Sequence, residues 1–309
     1  MKKLKIAVVY GGISSEHDIS VISAKSVMEN LDKEEFEVIP VLISKEGDFD
    51  IDLILSSDVV FPVLHGVGGE DGSIQGFCEM LDKPYVGSGI EASALALDKI
   101  ASKQIWKNLK LPIPSFYFFS KSEYLKNPNK ILKSVTPPVF VKPANTGSSI
   151  GISLVKRKMN LKKAISLALK YDNKIIIEKA LKNIREIEVS ILGNDELSVS
   201  LPGEIIPADE FYSYKAKYKL SSELIIPADI SSKKTKEIQN LAEKAYRALG
   251  CRGMARVDFF LERPEGKVYI NEVNTIPGFT DISMYPKLME ASGIKYKDLL
   301  SKLIKLVIK

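Results

Sequence analysis

Apolar residues along the chain fall into two periods, and the switches between them mark the elements. Lys3 to Tyr10 alternates weakly and then turns solidly apolar, as a strand buried on both faces does, until Gly11-Gly12 breaks it. A stripe at helical spacing follows (Ala24, Val27, Met28, Leu31), then strand-like runs at Phe36 to Ile43 and Asp58 to Leu64. Strand, helix, strand in that order predicts an open parallel sheet whose ligands gather beyond the carboxyl ends of its strands. Pro84 to Gly89 reads as an edge strand and turn that ends this unit near residue 95.

A helix over Asp98 to Leu109 and the connector Leu111-Pro112-Ile113-Pro114 lead to a second α/β unit from Phe116. Its strands are expected at Val139 to Pro143, Ile150 to Val155 and Lys174 to Ile177, with a helix over Leu161 to Tyr171. Further strands begin at Arg185, Glu204 and Ser222. Lys233 to Leu249 is amphipathic and stopped by Gly250. Two β-type runs, Ala255 to Glu262 and Lys267 to Asn274, flank a Pro-Glu-Gly turn and read as a hairpin, and helices near Tyr285 to Ala291 and Tyr296 to Val307 close the chain.

Composition narrows the classes. At 309 residues, with 45% apolar and 27% charged positions, the chain has the length for two or three domains and the balance of a soluble globular protein. Its net charge of +5 is spread rather than gathered into a basic arm, which argues against nucleic acid. No apolar run reaches membrane-spanning length, and Ile6 to Tyr10 is too short for a signal peptide. Cys78 and Cys251 have neither metal spacing nor a disulfide framework, so a reducing cytoplasm is expected.

The hairpin carries the sharpest chemistry. Residues two apart on a strand share a face, which puts Arg256 with Asp258 and Glu272 with Asn274. Two carboxylates and an amide suit Mg2+ bridging to nucleotide phosphates; the alternative is a hairpin whose charges face water. Charges that interrupt apolar runs need a partner, which favours the metal. Past the first strand comes Gly11-Gly12-Ile13-Ser14-Ser15-Glu16-His17, and past the third His65-Gly66-Val67-Gly68-Gly69-Glu70-Asp71-Gly72. His65 is either a ligand for an anionic substrate or a structural histidine. The Gly11-Gly12 pair is not a dinucleotide fingerprint, which counts against a dehydrogenase. Lys142 followed by Ala144 to Ser149 supplies a compact cation beside a small, hydroxyl-rich loop: a phosphate cover or a plain hairpin turn. Glu178-Lys179-Ala180-Leu181 is a strand-to-loop hinge able to hold an adenine, while Glu186 and Glu188 share a strand face that meets either a ligand or water. The aromatic, lysine-rich stretch from Phe211 to Tyr218 is a lid or an anchored surface loop.

Gly-Gly-x-Ser-x-Glu, His-Gly-x-x-Gly-Glu-Asp-Gly, Val-Lys-Pro with its Gly-Ser-Ser loop, Arg-x-Asp and Glu-x-Asn-x-x-Pro-Gly stand in series here. In order and spacing they resemble the D-alanine–D-alanine ligases of the ATP-grasp superfamily, from end to end of the chain. The resemblance implies an ATP-grasp architecture: an amino-terminal parallel-sheet, Rossmann-like domain (1–95), a central lobe (96–182) and a carboxy-terminal lobe (183–309), the two lobes enclosing ATP. By the same resemblance, Lys99 and Lys142 bind phosphates, Glu178, Lys179 and Leu181 form the adenine hinge, and Glu186 holds the ribose. Asp258, Glu272 and Asn274 hold two Mg2+ or Mn2+ ions. Glu16 holds the first substrate's ammonium, partnered by Ser148 and Tyr218 and with His65 nearby. Arg256 and the Gly278 N–H stabilise an oxyanion, and Lys217 and Ser283 engage the second substrate or the phosphate. Ser149 and Lys217 belong to the ATP contacts.

The implied reaction joins two D-alanines through an acyl phosphate, for peptidoglycan synthesis, in a cytoplasmic homodimer with no membrane or nucleic-acid partner; the resemblance also allows a monovalent cation. Lys217-Tyr218 in the lid favours D-alanine over D-lactate as the second substrate, and Ala144-Asn145-Thr146 departs from the charged residues many relatives carry there. The alternatives are another ATP-grasp ligase, such as a D-alanine–D-lactate or D-alanine–D-serine ligase, and a nucleotide-binding regulatory protein that lacks catalysis. If the hairpin acids hold Mg2+, Asp258→Ala and Glu272→Ala are each expected to lose turnover at limiting Mg2+; near-normal phosphate release by either would refute the assignment.

Overall fold

The computed structural model describes residues 3–207, 222–264 and 266–308. Its amino-terminal unit is a parallel sheet of β1 (Leu4–Gly11), β2 (Phe36–Ile43) and β3 (Val59–Pro62) in the order β2-β1-β3. Helices α1 (His17–Asn30), α2 (Ile51–Leu55) and α3 (Ser73–Met80) follow the three strands in turn. Alternate residues of β1 serve opposite cores, as a strand covered on both faces must. Ile6 and Val8 pack with Ala24 and Val27 of α1, whereas Ala7 and Val9 pack with Val41, Ile54 and Ile74. The expected edge strand at Pro84 to Gly89 contributes only one bridge, Val60 to Tyr85. Its proline and two glycines leave too few N–H groups in a strand conformation to extend a ladder. A helix the apolar pattern did not reveal, α4 (Ile90–Leu97), runs on from there into the expected one, α5 (Lys99–Asn108), which Asp98 caps by accepting from the N–H groups of Ile100 and Ala101.

The central unit is an antiparallel sheet, ordered β4-β7-β5-β6, of β4 (Phe116–Ser120), β5 (Val139–Pro143), β6 (Ser153–Val155) and β7 (Lys174–Lys179). One face is covered by α6 (Lys121–Lys126), α7 (Pro128–Ser134) and α8 (Leu161–Ala168). Pairing is parity: Val139, Val141, Ile175 and Ile177 enter that core, so Phe140, Lys142, Ile176 and Glu178 are left on the other face. The strand predicted from Ile150 starts instead at Ser153, because Ser148 to Gly151 form a turn with positive φ at Ser148, Ser149 and Gly151.

The third unit is a second antiparallel sheet ordered β11-β10-β8-β12-β13, formed by β8 (Ile184–Gly193), β10 (Gly203–Ile206), β11 (Glu223–Ile225), β12 (Met254–Glu262) and β13 (Val268–Asn274), with β9 (Leu197–Val199) also paired to β8. Helix α9 (Ser232–Ala248), α4 and the Trp106 end of α5 cover one face, over Val189, Ile191, Val257 and Phe259. The predicted hairpin is present, and it carries a β-bulge. Asp258 pairs with Glu272 but Phe259 pairs with Ile270, leaving Asn271 as the extra residue. Strict alternation from the buried Ile270 would send Glu272 into the core; the bulge reverses the parity, so that Val273 is buried instead.

The last helices, α10 (Met284–Ala291) and α11 (Tyr296–Lys305), pack against the first sheet: Tyr285, Met289, Leu299, Leu300 and Leu303 share one core with Ile6, Val8 and Phe61. The two ends of the chain are therefore one packing unit. Leu303→Ala, which empties a wholly buried site in this core, is expected to lower the unfolding free energy by about 2–5 kcal/mol, measured by urea denaturation.

Candidate active site

The polar faces of the two antiparallel sheets and the strand-end loops of the parallel sheet enclose a cavity of about 820 Å3. Glu16, His65, Lys99, Lys142, Ser148, Ser149, Glu178, Lys179, Leu181, Glu186, Arg256, Asp258, Glu272, Asn274, Gly278 and Ser283 all line it. Every site residue named from the sequence and lying within the described residues is thus brought to one place. Lys217 and Tyr218, with the rest of the lid stretch, lie outside the described residues.

The amino-terminal wall is built from the loops after β1 and β3. Ser14 ties them by donating its hydroxyl to the His65 carbonyl at 2.7 Å while accepting the Glu16 N–H at 3.1 Å. Glu16 is buried, and its carboxylate accepts the Ser148 hydroxyl, so the loop from the central unit closes on the first domain. A methyl group on Gly66 or Gly147 would come within 2.7 or 2.8 Å of Glu16 Oε2, so that carboxylate needs glycine on both sides. His65 Nδ1 lies 3.2 Å from the Ile276 carbonyl, which can only accept, and Nε2 lies 3.2 Å from the Ser23 hydroxyl. Burial is the largest influence and holds the His65 pKa below its usual value, so the ring is neutral with Nδ1 as the donor. Both nitrogens are engaged by the protein, and the residue lines the cavity.

Glu70 also reaches this wall, accepting the Gly66 N–H at 2.8 Å, although sequence reasoning had not singled it out from its motif. Burial first, and the Glu16 carboxylate second, push it up to about 8. The serine loop is fastened from below. Lys99, at the start of α5, donates to the Thr146 carbonyl at 2.7 Å and stands 3.6 Å from Glu272, while Asn145 binds Asp172 Oδ2 through its backbone and side-chain N–H groups, both at 2.8 Å. The Ala144-Asn145-Thr146 stretch therefore anchors the loop. Ser148 and Ser149 at its tip adopt φ of +48° and +58°, a conformation that costs about 1–3 kcal/mol per residue and persists only where its surroundings enforce it.

Across the cavity, Lys142 Nζ meets Glu178 Oε2 at 2.6 Å, as their shared face on β5 and β7 requires. Burial would raise Glu178, but Lys103 and Lys142 together outweigh it and hold the carboxyl down to about 2. On the hairpin, Arg256 grips Asp258 with two hydrogen bonds of 2.7 and 2.8 Å and meets Glu188 of β8 at 2.9 Å. The strand face carrying Glu186 and Glu188 thus meets the cavity rather than water. Asn274 Nδ2 donates to Asp258 at 3.1 Å, and Ser283 bonds to the Thr280 hydroxyl at 2.8 Å.

The donor set tests the expected metal. Asp258 and Glu272 sit directly opposite each other on paired strands, an arrangement of like charges that is unfavourable without a cation between or beside them. Among the described residues no three His, Cys, Asp or Glu side chains gather into an all-protein cage. Two carboxylates and an amide at a cavity wall fit Mg2+, which keeps water and takes most other oxygens from phosphates. Arg256 neutralises Asp258 and Lys99 lies 3.6 Å from Glu272, so the charges of both acids are partly offset, and the donor set fits a divalent cation.

Two antiparallel sheets facing each other across a nucleotide-sized cavity, with a parallel-sheet domain closing its end, define an ATP-grasp architecture. The family profile described as "D-ala D-ala ligase C-terminus" matches residues 105–305, and "D-ala D-ala ligase N-terminus" matches 5–56 and 50–88. A D-alanine–D-alanine ligase of Caldicellulosiruptor bescii is 49% identical, covering all of this chain and 96% of its own, and D-alanine–D-alanine ligase B of Clostridium tetani is 45% identical, covering all of this chain and 94% of its own. Among solved structures, the VanG D-Ala:D-Ser ligase from Enterococcus faecalis superposes with a TM-score of 0.89 at 35% identity, over 99% of this chain and 100% of its own. The D-alanine-D-alanine ligase from Coxiella burnetii does so with a TM-score of 0.86 at 33% identity, over 99% and 94%. The chain belongs to the D-alanine–D-alanine ligase family.

Glu70 supplies a test of the site's electrostatics. Its folded pKa lies above its ordinary value of 4.5, so the stability it contributes is complete below that pH and is lost as pH rises through about 8. Glu70→Gln is expected to remove that loss, so its thermal midpoint gains on the wild type between about pH 5 and pH 8. Parallel midpoints across that range would show that Glu70 ionises normally.

Proposed function

We propose that this chain is an ADP-forming ligase that joins two D-alanine molecules into D-alanyl-D-alanine, for peptidoglycan precursor synthesis. The observation that carries the reading is the single cavity, in which a carboxylate fit for an ammonium (Glu16), lysines fit for phosphates (Lys99, Lys142) and a hard-oxygen donor set (Asp258, Glu272, Asn274) face one another. The curated relatives that share 41–49% identity carry the name of this activity.

ATP lies with its adenine at the hinge of Glu178, Lys179 and Leu181 and its ribose at Glu186. Lys99, Lys142 and the backbone of Ser148 and Ser149 meet its phosphates. When bound, two Mg2+ or Mn2+ ions at Asp258, Glu272 and Asn274 offset the charge spread over the transferring phosphoryl group. Glu16 holds the ammonium of the first D-alanine, with Ser148 and Tyr218 as partners and the neutral His65 ring beside it. A carboxylate oxygen of that D-alanine forms a bond to the γ-phosphorus as the β–γ bridging bond breaks, giving an acyl phosphate and ADP. The second D-alanine, oriented through its carboxylate by Lys217 and Ser283, attacks the acyl carbon as the free amine, its ammonium proton having been lost to water, and the proton then shed by the new amide nitrogen passes to the departing phosphate. Arg256 and the Gly278 N–H stabilise the oxyanion, a contribution of roughly 3–4 kcal/mol per donor in other enzymes. The C–O bond then breaks and phosphate leaves with its electron pair. Closure excludes water, which would otherwise hydrolyse the acyl phosphate.

The reading carries a division of labour among residues 1–95, 96–182 and 183–309, a homodimeric assembly and a cytoplasmic setting. The buried thiols of Cys78 and Cys251 suit a reducing compartment, and no helix among the described residues is long and apolar enough to cross a membrane. A D-alanine–D-serine ligase is the second reading, favoured by the superposition on VanG. Phosphate release from ATP with Mg2+, followed with product mass, separates them: D-alanine alone is expected to yield the dipeptide, L-alanine nothing, and D-serine or D-lactate added to D-alanine little mixed product. A dominant mixed product would favour the second reading, and silence with every mixture would overturn both.

A further inference from the structure

Lys103 is 1% exposed, lies on α5 one turn beyond Lys99, and does not line the cavity. A lysine so withheld from water is expensive unless its ammonium is matched. Its Nζ lies 3.0 Å from Glu178 Oε1 and donates at 2.9 Å to the carbonyl of Asn271. Both partners matter to the cavity. Glu178, 2% exposed, holds Lys142 through its other oxygen, so one carboxylate stands between two lysines and the cluster carries one positive charge in excess. Asn271 is the residue that the bulge of β13 removes from the ladder, and Glu272 follows it. A carbonyl left out of a ladder needs another donor, and Lys103 supplies it.

The mechanism drawn above uses Lys142 and Glu272 but gives Lys103 nothing to do. Without Lys103, Glu178 and Lys142 would form an isolated neutral pair, with the lysine's charge spent inside the protein. We propose that Lys103 is a positioning residue for the nucleotide's phosphate chain: it occupies one oxygen of Glu178 so that the charge of Lys142 remains in excess toward the cavity, and it pins the Asn271 bulge that turns Glu272 inward. This rests on the reading that ATP occupies the cavity, and it extends that reading to a residue that touches no substrate.

The test is calorimetric titration of ATP and of adenosine, in EDTA, into the wild-type protein, Lys103→Met and the double variant Lys103→Met/Glu178→Gln, with thermal melts as a check of folding. Lys103→Met is expected to weaken ATP binding about tenfold or more while adenosine changes by less than about threefold. Because Glu178 also belongs to the proposed adenine hinge, the double variant, in which no carboxylate remains to capture Lys142, is judged by its ratio of ATP to adenosine affinity, which is expected to return to within about threefold of the wild-type ratio. A purely structural role for Lys103 moves both ligands together and is not relieved by neutralising Glu178, so either of those results overturns the proposal. Should Lys103→Met not fold, the double variant decides alone, since a tenfold deficit in its ratio of ATP to adenosine affinity refutes the charge argument. Absence of ATP binding by the wild type would instead remove the functional reading itself.

Discussion

Charges withheld from water must be balanced where they sit, and the cavity walls are built from charges that balance one another. Glu178 lies between Lys103 and Lys142, Asp258 and Glu188 share Arg256, and Lys99 approaches Glu272. None of these side chains could be held at such burial alone. Their mutual neutralisation is what allows a surface of high charge to line a cavity inside a folded protein, and only the Glu178 group, with two lysines to one carboxylate, is left with a cation in excess. The same partnerships keep the residues in place before any ligand arrives, so less ordering is left to be done on binding.

The backbone decides which residues enter that balance. In both antiparallel sheets the apolar parity faces helices and the polar parity faces the cavity, which is why Phe140, Lys142 and Glu178 stand opposite Arg256 and Asp258. The bulge at Asn271 is the one interruption of that rule on the hairpin, and it carries Glu272 from core parity to cavity parity. The first domain joins through Glu16, whose carboxylate meets the serine loop, and through the carboxy-terminal helices that complete its hydrophobic core. The strand-end loops of the first domain, the Ser148–Ser149 loop and the edge of the hairpin are thereby parts of one mechanical unit.

Local chemistry was readable without coordinates wherever residues close in sequence share a strand or a loop. The hairpin with Arg256, Asp258, Glu272 and Asn274, the parallel order of the first strands, the long amphipathic helix and the two glycine-bearing strand ends are all dictated by period, turn residues and spacing. The pairing of Glu16 with Ser148, far apart along the chain, was reached through the family resemblance, and the structure supplies the contact itself. Helices α4, α6 and α7 left no clear stripe, being too short for a helical period to stand out, and no motif sets Lys103 apart from the other lysines.

What the sequence determined by itself is the inventory of chemistry and the local form that carries it, because turn preferences and side-chain periodicity act over a few residues. What only the tertiary structure decided is which charges meet. The burial of Lys103, the grip of Arg256 on Asp258 and Glu188, the engagement of both His65 nitrogens and the upward shift of Glu70 depend on solvent exclusion and on neighbours from other elements. Electrostatic energy at a buried site is set by distance and by the absence of water, and neither is a property of the linear chain.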